Sequence, residues 1–218
     1  AKPKALRKLV VGEYEFPDDT EISWVHIGSL GKIWAACPRL EQLTVQGGKI
    51  ELGKIDAPAL REARFITGGL PRKAAQSIAA AKWPKLERLE VWLGDSSYGA
   101  GATIHDLAPI FEGKNLPALE HLALRNSEIA DEIAEALAKS KILRQLVSLD
   151  LSMGTMTDEG ALALAKGLKS AKRLTSVDVS GNYLSASGAA AIKKVVKTVK
   201  AKDQRGSEEG RRYVAVGE

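Results

Sequence analysis

The chain has 218 residues, of which 44% are apolar and 27% charged, and it is long enough to form one well-buried domain. No apolar run approaches the ~20 residues needed to span a bilayer, so the sequence excludes a membrane-spanning helix. The single cysteine, Cys37, excludes a disulfide framework and fits a reducing compartment, and we therefore expect a cytoplasmic protein.

The formal net charge of +5 is concentrated at the two ends of the chain. Residues 1–9 carry a charge of +4 and residues 193–218 carry another +4, which leaves −3 for residues 10–192. A nucleic-acid groove needs positive charge along its binding face. Solvated lysines on a helix surface are therefore the favoured interpretation of the C-terminal charge, and nucleic-acid binding is the less favoured one.

A pattern of the form Leu-x-x-Leu-x-Leu-x-x-Asn-x-Leu recurs along the chain. Its seven copies start at residues 6, 40, 60, 86, 119, 146 and 174. Positions four and six, such as Val177 and Val179 of the last copy, alternate as in a short strand. Position nine, which is Asn182 in that copy, is suited to capping the backbone where the chain leaves the strand. Each copy therefore predicts a short strand followed by a turn.

The segments between the copies predict helices where they are long enough. Helical spacing of apolar residues predicts helices over residues 71–81, 131–138, 161–168 and 187–197. Only 20 residues separate the copies that start at 40 and 60, so we expect residues 51–56 to return as an extended segment without a helix. The longer spacings of 34 and 33 residues predict insertions at 17–33 and 95–104.

The pattern resembles the leucine-rich repeat, and residues 151–160 resemble its ribonuclease-inhibitor-like subclass. We expect an α/β fold, a right-handed, horseshoe-shaped solenoid with a parallel sheet on its concave face and helices and loops on its convex face. Residues 1–202 would form about seven repeats, and residues 203–218 a tail that covers the last repeat. The first copy begins without a polar cap, so we expect the N-terminal cap to be missing, which leaves oligomerisation through that edge open.

Several stretches are also similar to a family of bacterial cytoplasmic leucine-rich-repeat proteins with no established activity. The stretches that carry this resemblance are residues 21–24, 43–48, 68–71, 86–94, 124–131 and 210–218. The resemblance implies no catalytic residues, and members of the family usually carry an additional N-terminal portion.

In the leucine-rich-repeat fold that the pattern resembles, positions two, three, five, seven and eight of each repeat face outward on the concave side, so these columns can be read directly from the sequence. In the middle of this face Ile66, Trp92 and Leu93 should be exposed beside arginines, a composition typical of interface hot spots. An equally weighted alternative has the insertion at 95–104 fold back over Trp92. The C-terminal part should be small and acidic and suited to a basic partner segment. The predicted partner-binding residues are Arg64, Ile66, Arg88, Glu90, Trp92, Leu93, Tyr98, Arg125, Asp150 and Asp178.

The sequence shows no pattern that supports catalysis. It contains no phosphate-binding loop, nucleophile elbow or dinucleotide fingerprint, and its three histidines have no second His or Cys at metal-ligand spacing. We therefore predict a non-enzymatic scaffold, without metal or cofactor, that binds a protein or peptide on its concave face. Two alternatives stay open: a regulator of a partner enzyme such as a nucleotide hydrolase, acting through Arg88 or Arg125, and weak nucleic-acid binding through the basic ends. The sequence names neither the partner nor the oligomeric state.

Overall fold

The computed structural model describes residues 3–218, in which strands and helices alternate along most of the chain. The strands are β1 (Lys8–Val11), β2 (His26–Ser29), β3 (Gln42–Gln46), β4 (Gly48–Glu51), β5 (Glu62–Ile66), β6 (Arg88–Gly94), β7 (His121–Ser127), β8 (Ser148–Asp150), β9 (Ser176–Asp178) and β10 (Thr198–Lys200). The α-helices are α1 (Ile33–Ala36), α2 (Arg72–Ala80), α3 (Ile104–Glu112), α4 (Ala130–Ala138), α5 (Asp158–Leu168) and α6 (Ala186–Lys193). Within the residues described, none of these helices is long and apolar enough to cross a membrane.

One parallel sheet contains β1, β3 and β5 to β10 in chain order, and β2 and β4 form a second, two-stranded sheet. Position four of each repeat lies opposite position four of the next. This row of paired residues is Leu9, Leu43, Ala63, Leu89, Leu122, Leu149, Val177 and finally Val199 of β10. A slip of one residue would turn these side chains to the other side of the sheet, so the common register keeps them in one core.

The core lies between the large sheet and the helices. Inward-facing strand residues such as Leu89 and Leu122 pack with helix residues such as Ile133 and Leu164, and all four are buried. The opposite, outward-facing surface of the eight-stranded sheet, which we call the sheet face, carries the polar side chains between these apolar ones. It corresponds to the concave face of the expected solenoid.

Helix starts are set by side chains that cap the backbone. The Ser185 hydroxyl accepts hydrogen bonds from the backbone N–H groups of Ser187 and Gly188 at the start of α6. Thr103 and Asp106 form a reciprocal capping box at the start of α3, and this helix ends at Gly113 in the left-handed conformation, with φ +71°. These caps hold the helices at fixed positions behind the strands.

Residues 17–33, predicted as an insertion, form secondary structure and pair with β4, the strand that precedes the extended segment at residues 51–56. They contain a 3-10 turn at Ile22–Trp24, then β2 and the beginning of α1. β2 pairs in parallel with β4, and the described residues between β4 and β5 contain no helix, as the short spacing predicts. A Cβ on Gly47 would lie 2.6 Å from the Val25 carbonyl oxygen, so only glycine permits this close approach.

The C-terminal tail extends well beyond the last repeat that we expected it to cover. Gln204 and Arg205 do lie on that repeat: Gln204 accepts a hydrogen bond from the Leu184 N–H, and the Arg205 guanidinium lies 4.8 Å from the Tyr183 ring centroid. Residues 213–218, which we call the strap, then lie along the turns that follow the strands. The strap contacts Tyr183, Met153, Asn126, Tyr98 and Ser23, and so passes from the last repeat back towards the first.

Candidate functional site

The middle of the sheet face is organised around one carboxylate, that of Glu90 on β6. It accepts hydrogen bonds from Arg64 Nε at 2.8 Å, Trp92 Nε1 at 2.8 Å and Arg125 Nη1 at 3.0 Å. Arg125 Nε lies 3.4 Å from a carboxylate oxygen of Asp150 on the next strand. These five residues, which we call the Glu90 cluster, therefore link four neighbouring strands.

The two carboxylates of the Glu90 cluster differ in how far nearby hydrogen-bond donors and positive charges offset the effect of burial on their pKa. Burial alone would raise the pKa of Glu90, but hydrogen bonds from Arg64 and Trp92 and the charges of Arg64 and Arg125 together hold it below its usual value. Burial raises the pKa of Asp150, and the hydrogen bond from Ser152 and the charge of Arg125 offset this only in part. Asp150 is thus the carboxylate that a further cation would stabilise.

Arg125 is fully engaged within the protein. Its guanidinium lies 5.1 Å from the centroid of the Trp92 ring and donates hydrogen bonds to Ser152 Oγ at 3.0 Å and Met153 Sδ at 2.9 Å. Arg88, in contrast, is exposed and makes no ion pair within residues 3–218. Of the two arginines predicted to act on a partner, only Arg88 is therefore available.

A depression of about 290 Å³ opens on the sheet face beside the Glu90 cluster. Its floor is at Ala123, which lies between Glu90 and Asp150 in the sheet register, so a methyl group lies between two larger, acidic side chains. We call it the Ala123 pocket. Its further polar lining includes Glu62, Arg64, Arg88, His121 and Ser148.

His121 belongs to the rim of the Ala123 pocket. One ring nitrogen, Nδ1, lies 2.8 Å from the Ser148 hydroxyl oxygen. Burial, followed by the positive charge of Arg88, lowers the pKa of His121 below its usual value near 6.5. The ring is therefore neutral around pH 7 and presents one donor and one acceptor.

Two residues predicted to be exposed on this face are buried, so that part of the prediction is wrong. Leu93 is 3% exposed because β6 continues to Gly94, and the alternation of the strand turns Leu93 inward with Leu89 and Val91. Ile66 is 8% exposed because Ile22 and Val216 pack over it.

Trp92 is half-buried rather than a free aromatic patch. It packs against the small apolar cluster of Ile22, Ile66 and Val216, so the strap supplies part of its environment. Tyr98 holds the strap in place: its hydroxyl donates to Glu218 Oε1 at 2.9 Å, and a Cβ on Gly217 would lie 2.7 Å from its ring. The insertion that carries Tyr98 thus acts on Trp92 through the strap.

The acidic C-terminal part of the face is partly neutralised by the protein itself. Asp178 lies 3.6 Å from Lys200 Nζ on the neighbouring strand β10. Its carboxylate also accepts a hydrogen bond from the Ser180 N–H at 2.9 Å. Asp178 is therefore a weaker candidate for a cationic partner group than Asp150.

The fold is a leucine-rich-repeat solenoid of the α/β class. The family model described as Leucine Rich repeat matches residues 115–138 and 144–165, which contain β7, α4, β8 and most of α5. Repeats of this kind commonly mediate protein binding.

A crystal structure of a protein from Bacteroides fragilis, determined as a structural genomics target, has a similar fold. The two chains are 29% identical, with a TM-score of 0.80, and the match covers 87% of this chain and 55% of the other. This chain therefore spans about half the length of that neighbour. A comparison with curated proteins finds no match.

Proposed function

We propose that the protein is a non-enzymatic scaffold that binds a protein or peptide partner on its sheet face, with the Ala123 pocket at the centre of contact. The single observation that carries this proposal is the pocket itself, an open depression with a small floor and charged rims on a sheet held in one register. Binding residues on a rigid scaffold are pre-organised, which lowers the entropic cost of association.

The open shape of the pocket, rather than its volume, favours a peptide over a small molecule. Sites for drug-sized ligands occupy roughly 300–1,000 Å³ and enclose most of the ligand. The Ala123 pocket has about 290 Å³ and is open to the sheet face, so it suits one protruding side chain of a larger partner.

The charges around the pocket indicate the chemistry of that partner. A Lys or Arg side chain entering over Ala123 would approach Asp150, the incompletely compensated carboxylate. An acidic group beside it would meet Arg88, which is exposed and has no ion pair among the described residues. The proposed partner segment therefore carries both charges, with the cationic side chain in the pocket and the acidic one at the rim.

The proposal further places this protein in the bacterial cytoplasm. The supporting observations are the one free, buried cysteine, Cys37, and the bacterial source of the structural neighbour.

Filling the pocket should abolish partner binding without affecting the fold. Ala123 faces outward on β7, so Ala123→Tyr would place a ring in the pocket while leaving the core intact. Ala186→Tyr makes the same change at an exposed position at the start of α6, on the helix side, and is the matched control. We expect at least a tenfold loss of partner capture for Ala123→Tyr and none for Ala186→Tyr, measured by quantitative mass spectrometry of proteins retained on the immobilised chains. A protein set that is identical for all three chains would refute the placement of the site.

A further inference from the structure

A second and larger cavity lies on the helix side of the solenoid, away from the sheet face. It has a volume of about 1460 Å³ and runs between α2 and residues 49–56, which contain most of β4 and the extended return segment at 51–56. We call it the convex groove. The proposed sheet-face function does not involve it.

The convex groove exists because one repeat lacks a helix. α3 packs between α2 and α4, and α5 packs between α4 and α6, so the helices from α2 onward form a continuous row. On its other flank α2 faces the return segment, since the described residues between β4 and β5 include no helix. The groove thus occupies the place where the repeat pattern would put one more helix.

The floor of the groove is apolar. It is lined by Ala74 and Ala81 on the α2 side, and by Ile50 of β4 with Leu52 and Ile55 of the return segment on the other side. These five side chains are only 1–7% exposed, so the apolar surface that a ligand can reach lies mainly at half-buried Pro71 and exposed Ala80.

The rim of the groove is basic, although residues 10–192 as a whole carry a charge of −3. Lys49, Lys54, Lys73 and Lys82 all line it, are all exposed, and make no ion pair with any residue from 3 to 218. Two acidic residues, Glu51 and Asp56, are the only carboxylates among the lining residues described.

Arg72 also lines the groove, but its guanidinium already forms an ion pair with Asp106. Its guanidinium donates to both carboxylate oxygens of Asp106, at 2.9 and 3.3 Å. A hydrogen bond from Gln76, together with those from Thr103 and Arg72, holds the pKa of Asp106 well below its usual value, so this ion pair persists across the neutral range. The four lysines are therefore the groups that are free to recognise a ligand.

We propose that the convex groove binds an amphipathic helix of a partner protein, with acidic residues along the edges of its apolar face. A helix has a diameter of about 10 Å, and ten residues span about 15 Å, dimensions that suit a cavity larger than ordinary small-molecule sites. Its apolar face covers the floor, and its Glu or Asp side chains pair with the lysines on both rims. The partner helix thereby takes the place that the missing helix of this repeat leaves open.

The test uses a displayed library of amphipathic helical peptides against the full chain. Library positions flanking the apolar face vary among Glu, Lys and Ala, so the selection itself reports the preferred charge. Selected peptides are then measured by fluorescence anisotropy against wild type, Lys73→Glu/Lys82→Glu, Lys166→Glu/Lys169→Glu and Ala123→Tyr. The Lys166 and Lys169 pair is exposed at the end of α5 and makes the same charge change outside the groove.

We expect selected peptides to be rich in Glu at the flanking positions. Their affinity should fall at least tenfold with Lys73→Glu/Lys82→Glu and change less than twofold with the other two variants. Any of four results would overturn the proposal: no enriched peptide, enrichment of Lys as often as Glu, equal losses with both charge-reversed pairs, or a loss with Ala123→Tyr. A wild-type dimer that sedimentation velocity detects and that Lys73→Glu/Lys82→Glu dissociates would also overturn it, since the occupant would then be a second copy of this chain.

Discussion

Asn126→Ala is expected to lower the free energy of unfolding by about 3 kcal/mol and to release the strap. Asn126 is fully buried, its amide donates to the Val216 carbonyl oxygen at 2.5 Å, and its carbonyl accepts from the Val216 N–H at 2.9 Å. Alanine would leave both strap groups unpaired. It would also have to adopt φ +51°, a left-handed conformation that asparagine tolerates and alanine resists by roughly 1 kcal/mol.

Two measurements separate loss of stability from release of the strap. Urea unfolding gives the change in free energy, and hydrogen exchange with mass spectrometry follows the amides of Ala215 and Val216, which are bonded to Met153 and Asn126. In the variant both amides should exchange as fast as those of an unfolded peptide. Asn115→Ala is the control, because Asn115 is half-buried and its side chain makes no hydrogen bond within the described residues, and it should cost less than about 0.5 kcal/mol. Unchanged stability and protected C-terminal amides in Asn126→Ala would contradict the role assigned to this residue.

Glu90→Gln is expected to destabilise the fold by about 2 kcal/mol near neutral pH. The neutral amide removes the charge that faces Arg64 and Arg125, and its NH2 group would point at a donor. The side chain of Glu90 is only 16% exposed, so water can replace little of the lost interaction. The matched control is Glu87→Gln, where the ion pair with Arg61 is about half exposed on both sides and contributes at most about 0.5 kcal/mol.

The destabilisation caused by Glu90→Gln should become smaller as the pH falls. Since folding lowers the pKa of Glu90, its carboxylate contributes stability that is complete above the unfolded-state pKa, about 4.3, and is lost as the pH falls through the lower folded-state pKa. Urea unfolding at a series of pH values should therefore show wild type and variant diverging above this range and converging below it. A constant difference down to the lowest pH at which the protein folds would show that the Glu90 charge does not stabilise the sheet face.

The strands and their register could be predicted from the sequence because each depends on a local, repeated pattern. A leucine or valine at position four is enough to place Leu89 opposite Leu122, whatever the intervening segment contains. Helical spacing likewise predicted the four helices α2, α4, α5 and α6, although α6 ends at Lys193, earlier than the spacing indicated. The absence of a helix after β4 followed from chain length alone.

The candidate site was predicted less well because its surroundings come from distant parts of the chain. Repeat position does not reveal that Val216 packs on Ile66, or that Asn126 binds a residue 90 positions later. Leu93 is a different kind of error. β6 continues to Gly94, so its alternation turns position eight inward, whereas the repeat pattern places position eight outward. The alternating Tyr213–Val216 segment and an asparagine at a turn are the signals that could have indicated the strap.

The outward orientation on the sheet face was predicted correctly for the polar residues Arg64, Glu90 and Arg125, unlike the exposure predicted for Ile66 and Leu93. Arg64, Glu90 and Arg125 lie together because they occupy outward positions on adjacent strands, which alternation alone determines. The ion pairs between them, and hence the distinction between an ion-paired Arg125 and an exposed Arg88, depend on rotamers that the pattern does not specify. The Ala123 pocket was visible in the sequence only as a small residue in a column of larger ones.

The most direct test of the sheet-face proposal is site-specific photo-crosslinking in cells. A benzophenone amino acid replaces Gln42, an exposed residue at the start of β3 on the sheet face, or Glu135, an exposed residue of α4 on the helix side. We predict a discrete protein adduct from position 42 that disappears when Ala123→Tyr is added, and no such adduct from position 135. The same adduct from both positions, or an adduct from position 42 that persists with Ala123→Tyr, would contradict the proposal that partners bind over the Ala123 pocket.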